Sequence, residues 1–164
     1  MSHDNVTPFR RPPRRPPPKR QSSGGLGFSS QRGRAVLAHL LALASFVSAF
    51  FFPFPPPDGA GLILILASCI SLAFAFGAVA LTTRYRFEGM PWTTTHHEHV
   101  IRTLLIGYSI WVLASALLFI SQALAPVRFY AILIVLIWAV IRSGVGLVLA
   151  ILRKPIPSPR GWLL

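Results

Sequence analysis

Four long apolar runs constrain this chain more than anything else in it. They cover residues 35–54, 59–82, 101–125 and 129–152. A hydrocarbon core of about 30 Å takes about 20 helical residues to cross, and each run is long enough. In lipid every backbone polar group has to be satisfied within the protein, which selects helices for segments of this kind. Composition points the same way: 53% of the 164 residues are hydrophobic and 12% are charged. A soluble domain carries about 25% charged residues. The expected fold is all-α, a four-helix transmembrane bundle over residues 35–152. A basic tail over 1–34, Pro-rich and then Gly/Ser-rich, is expected to stay disordered, and a short Pro-rich tail covers 153–164.

The first run reads as a retained helix. Its basic leader is too long for a secretory signal, and the apolar stretch exceeds the usual h-region of about 7–15 residues. Ser48-Ala49 could mimic a cleavage site, but residues 50–54 prolong the run.

The net charge of +12 comes from 16 Lys and Arg against 4 Asp and Glu. Such an excess would suggest nucleic acid in a soluble protein, but no apolar helix here offers a basic face. The cations follow topology instead. Eight precede residue 35, and Arg84, Arg86, Arg102, Arg153, Lys154 and Arg160 fall on the same side of the four crossings. Arg128 alone marks the other side, and Arg142 lies inside the fourth run. Positive loops stay in the cytoplasm, so both termini are expected there. The implied partners are the bilayer and its anionic headgroups, at about 1 kcal/mol per cation near the surface.

Within the tail, Arg10, Arg11, Arg14, Arg15, Lys19 and Arg20 alternate with prolines. That density of proline favours extended polyproline II. It suits docking on acidic lipid or on a partner with an aromatic groove; the plainer reading is a topogenic arm. Small residues Ala42, Ala44, Ser45, Ser48 and Ala49 in the first run, and the pairs Ala67/Ser71 and Ala73/Gly77 in the second, allow close helix approach. Cys69 is a lone thiol, which suits packing and forms no internal disulfide. His39, one turn inside the first helix, is near enough to headgroups to need no special role. Pro55-Pro56-Pro57-Asp58-Gly59 makes a short turn, so the first two helices form a hairpin.

The longest cytoplasmic loop, residues 83–103, carries Arg84, Arg86 and the group His96, His97, Glu98 and His99. If the third helix begins near Thr95, capped by Thr94 or Thr95, then His96, His99 and Thr103 share one face. Glu98 then precedes Arg102 by four residues, the favourable order for a helical ion pair. Imidazoles at i and i+3 can share a metal, but no cysteine is near, and polar anchoring is the simpler role. No metal or other cofactor is expected. Arg142 lies fourteen residues after Arg128, which leaves about 9 Å to the cytoplasmic edge. It can meet Glu98 or the histidine face across the third and fourth helices, or snorkel to lipid phosphate. Trp138 at i−4 offers a cation–π surface, and Gly146 at i+4 offers room for a neighbour.

Two stretches together resemble a known family. T-H-H-E-H-V-I-R-T is similar to the S-H-x-x-x-x-I-R-T signature of small bacterial inner-membrane proteins grouped with the Tic-type translocon subunits of chloroplast envelopes. The ending R-S-G-V-G-L-V-L-A-I-L-R-K-P-I-P-S-P-R-G-W-L-L resembles that family's arginine, its glycine four residues later, and its K-P-x-P-x-P-x-x-W-L. The matching residues are His96, Ile101, Arg102, Thr103, Arg142, Gly146, Lys154, Pro155, Pro157, Pro159 and Trp162. Where His97, Glu98 and His99 stand, the family carries aromatic and basic residues. The resemblance spans residues 61–164 and implies a bacterial cytoplasmic (inner) membrane.

Catalytic chemistry has little to build on. Asp4, Asp58, Glu88 and Glu98 are too dispersed for an acid/base pair, and no phosphate-binding glycine loop appears. The expected function is non-enzymatic: an accessory, assembly or scaffold subunit working with other membrane proteins. The alternative is a transporter or channel component, by the Tic-like analogy. A permeation path normally needs several intramembrane polar groups.

Overall fold

The structure is a computed structural model and describes residues 27, 29–52 and 61–161. The arginine-rich tail from Arg10 to Arg20, the proline turn before Gly61, and Trp162 lie outside the described residues.

Among the described residues four α-helices make up the fold: α1 (Gln31–Phe51), α2 (Leu62–Tyr85), α3 (Pro91–Ile120) and α4 (Ala125–Ile151). A single 3₁₀ turn, Gln122–Leu124, joins α3 to α4. No strand occurs among the described residues. All four helices are long and apolar enough to cross a membrane, so this is a multi-pass integral membrane protein with an all-α fold.

Local chemistry sets the ends. The Ser30 hydroxyl accepts from the Gly33 N–H at 3.0 Å and caps α1. Pro53 follows the last turn and cannot continue it. Pro91 opens α3, where its missing N–H costs nothing. The third helix therefore starts ten residues before its apolar run. Thr94 and Thr95 lie inside it rather than capping it, and the expected long loop shrinks to a tight turn over 86–90. The reason is that the first turns of α3, polar by sequence, are buried against other polar groups.

The helices run up and down. At one end the Arg32 guanidinium donates to the Ile151 carbonyl at 2.7 Å, tying the start of α1 to the end of α4. The Met90 N–H donates to Gln31 Oε1 at 3.2 Å, and the Arg34 guanidinium sits 3.8 Å from the Tyr85 ring centroid. The start of α3 and the end of α2 thus share that end, called the polar end below. Arg128, at the start of α4, marks the opposite end.

The first helix is the centre of the bundle because it is thin. Ala35, Ala38 and Ala42 are fully buried, and α1 packs on all three other helices, whereas α2 and α4 do not touch. Phe46 is the one large apolar side chain on that buried face. It stacks on Tyr108 at 5.3 Å between ring centroids and lies over Gly107, where an added Cβ would strike its ring. Ser45 Oγ and Tyr108 Oη share a hydrogen bond of 2.5 Å beside it. By contrast α2 buries only Ser68, Ser71, Ala78 and Thr82, and Cys69 is exposed on its outer face rather than packed.

Candidate functional site

At the polar end, α1, α3 and α4 enclose a cluster of polar side chains with almost no solvent access. His39, His96, His99, Thr103 and Arg142 are each at most 1% exposed. His97, also buried, faces the other way, toward Arg34 of α1 and Tyr85 at the end of α2. In hydrocarbon such groups are tolerated only when they satisfy one another or the backbone.

The bonding fixes how the ring protons are arranged. His96 Nε2 lies 2.9 Å from the Lys154 carbonyl oxygen, which can only accept, so Nε2 carries the proton. In the neutral ring Nδ1 is then an acceptor, and His39 Nε2 donates to it over 3.1 Å. The two rings meet edge to face, with centroids 5.3 Å apart, and the His39 ring covers Gly146. A Cβ at Gly146 would strike that ring, so the glycine in the fourth helix makes room for a histidine of the first.

Arg142 and Thr103 stitch α3 to α4. Arg142 Nε donates to Thr103 Oγ1 at 2.9 Å, and that hydroxyl donates onward to the His99 carbonyl at 2.7 Å. His99 Nε2 returns a bond to the Arg142 carbonyl at 3.3 Å. Arg142 Nη1 donates to the Gly161 carbonyl at 2.7 Å, and the guanidinium sits 5.4 Å from the Trp138 ring centroid. Its Nη2 is buried without a hydrogen-bond partner.

Of the two partners expected for Arg142, the histidine face is the one it meets. Glu98 is held by Arg86 from the end of α2 and by Arg102 Nε at 3.0 Å. Adjacent residues on a helix point about 100° apart. With His99 turned to α4, Glu98 therefore faces outward to its own arginines. Nor does Arg142 snorkel, since it is fully buried.

What covers the cluster is the chain after α4. Lys154 N–H donates to the Leu149 carbonyl at 2.9 Å and Arg153 N–H to the Ala150 carbonyl at 3.2 Å, the paired bonds of a Schellman turn. The turn puts Arg153 at φ 57°, the left-handed region that usually takes glycine. The chain then folds back as a strap. Ile156 N–H donates to Thr95 Oγ1 at 3.1 Å, and the Ile156 side chain is buried. Pro155 and Pro157 sit on the outer side, and a cavity of about 110 Å³ remains under Ile156 and Pro157, walled by His99, Val145, Gly146 and Leu149.

No cluster of three or more His, Cys, Asp or Glu side chains among the described residues has the geometry to hold a metal ion. The described Nε2 bonds are turned toward carbonyl groups and a neighbouring ring instead. Elsewhere, a groove of about 620 Å³ runs between α2 and α3, lined by apolar residues such as Leu72, Phe76, Leu104 and Val112.

No family model, curated protein or solved structure matches this chain.

The structure brings together His96, His99, Thr103, Arg142 and Gly146, places Lys154 and Pro155 over them, and sets Glu98 and Arg102 beside them as a separate ion pair. His39 is the member that sequence reasoning dismissed. A signal was available: His39 and His96 both lie in the first turns of helices that start at the same end, so they share a depth. Ile156, an ordinary apolar residue in a Pro-rich tail, carried no such signal.

Proposed function

We propose that this protein is a non-enzymatic accessory, assembly or scaffold subunit of a membrane complex. It would sit in a bacterial cytoplasmic membrane with the polar end, and so both termini, facing the cytoplasm. One observation carries the reading: the two sequence blocks that resemble the Tic-grouped family converge on one buried cluster whose described bonds are mostly internal. His96 and Thr103 from one block, with Arg142, Gly146 and Lys154 from the other, spend their hydrogen bonds on each other and on the strap. That is what a folding determinant looks like, and it supports shared architecture with that family.

The rest of the core argues against a pathway. Beyond the cluster, toward the opposite end, the interior is Ala42, Phe46, Leu104, Val135 and Ala139, then Trp111 and Ile132. The Ser45–Tyr108 pair is the main polar contact there and is already made. A hydrophilic permeant would find few polar groups in that half: among the described residues Ser45, Ser68, Ser71 and Tyr108 are there, and their hydroxyls are already hydrogen-bonded. Meanwhile α2 leaves Ile63, Leu66, Ile70 and Phe76 outward, a surface open to lipid or to another subunit's helix.

Crosslinking in native membranes followed by mass identification tests this. The expected result is a small, reproducible set of membrane proteins joined through α2. Purified protein that alone moves ions or a substrate across vesicles would replace this reading with the transporter alternative.

A further inference from the structure

No carboxylate among the described residues lies against Arg142. Among the described residues the carboxylates are Glu88, exposed at the α2–α3 turn, and Glu98, engaged by Arg86 and Arg102. The groups that Arg142 does reach are neutral: a threonine hydroxyl, the Gly161 carbonyl and the Trp138 ring. A guanidinium buried this fully is normally paired with an anion, and bonds to a charged oxygen are about twice as strong as those to a neutral one. One of its nitrogens, Nη2, makes no bond at all.

The element that covers Arg142 is weakly held. Over residues 152–161 only the Ile156 side chain is buried. Its ties to the cluster include single hydrogen bonds from His96, to Thr95 and from Arg142. Its hinge, Arg153, occupies a backbone region unfavourable to any residue with a Cβ. Non-helical backbone at this depth needs its carbonyls satisfied by the protein, and the strap's carbonyls take the donors of His96 and Arg142 that an anion would use.

We propose that the strap is a displaceable occupant of a phosphate-binding site centred on Arg142. When it lifts, Arg142 Nη1 and Nη2 and His96 Nε2 become available to a phosphate group in the leaflet at the polar end. Arg32, whose guanidinium bonds the Ile151 carbonyl, and Arg153 and Lys154, just after α4, put further positive charge at the same end of the bundle, which favours the approach of an anion. The shared chemistry is a phosphate oxyanion, supplied by an anionic phospholipid or by free phosphate.

The test is the reactivity of a thiol placed under the strap. Leu149→Cys, in a Cys69→Ser background of the full chain, sits in the cavity beneath Ile156. Its labelling by uncharged N-ethylmaleimide is compared in phosphatidylcholine vesicles, in the same vesicles with phosphatidylglycerol, and in phosphatidylcholine with inorganic phosphate. Ser158→Cys, on the exposed side of the strap, is the reference for reagent access. Phosphatidylglycerol is expected to raise the Leu149→Cys rate about fivefold relative to that reference. A rise with inorganic phosphate as well identifies the free ion as sufficient; a rise with the lipid alone identifies the headgroup. Arg142→Gln should remove the response. Because that variant can also disturb folding, Arg153→Gly provides a second arm: by relieving the hinge it should lower the rate and blunt the response. Equal rates in all three conditions, or a response that survives Arg142→Gln, overturns the proposal.

Discussion

The two ends of the bundle are built on different principles. At the polar end nearly every buried group is directional. His39, His96, His99, Thr103 and Arg142, on three helices, each bond to a particular atom, and Gly146 is bare so that His39 can fit. Toward the opposite end, packing is mostly by shape, with Ala49, Trp111, Ala114 and Ile132 in contact, large apolar side chains turned to lipid, and a few hydroxyls such as the Ser45–Tyr108 pair as the polar contacts. In a bilayer the apolar half gains little from the hydrophobic effect between helices, because lipid tails are as apolar as leucine. Specificity therefore has to come from the half that carries polar groups.

This contrast can be broken or sharpened by substitution, measured as unfolding free energy in mixed micelles. The largest effect is expected from His39→Ala. It leaves His96 Nδ1 unsatisfied and opens a cavity over Gly146, for about 3 kcal/mol. Next comes Gly107→Ala, whose methyl would strike the Phe46 ring, at about 2 kcal/mol. A cost for Gly107→Ala above that for His39→Ala would make the apolar packing the dominant specifier and reverse the comparison. Ile156→Ala removes the one buried side chain among residues 152–161 and should cost about 2 kcal/mol, or less if the strap is readily displaced. Arg153→Gly should stabilise by about 1 kcal/mol, since glycine has no penalty at φ 57°. The smallest effect belongs to Phe76→Ala on the outer face of α2, within about 0.5 kcal/mol.

The same contrast explains what was legible in the sequence. The four crossings and the hairpin order follow from hydropathy, because lipid reads composition over about 20 residues and little else. The start of α3 was misplaced since Thr93, His96, His97 and His99 look like loop by polarity, yet are buried in the helix. The pairing of Arg142 with Thr103 and the histidine face was within reach of depth arguments. The exclusion of Glu98 was not, because it depends on Arg86 arriving from the end of α2. His39 stood alone in the first run and had an adequate explanation in the headgroups. The strap was invisible for a different reason: its ties are backbone carbonyls and one N–H, groups that every residue has.

Side-specific thiol labelling in intact cells and inverted membranes tests the two-ended bundle most directly, with single cysteines at Ser29, Val127 and Arg160 in a Cys69→Ser background. The account predicts that Ser29→Cys and Arg160→Cys react from the cytoplasmic side and Val127→Cys from the opposite side. Reaction of Val127→Cys and Arg160→Cys from the same side would contradict it.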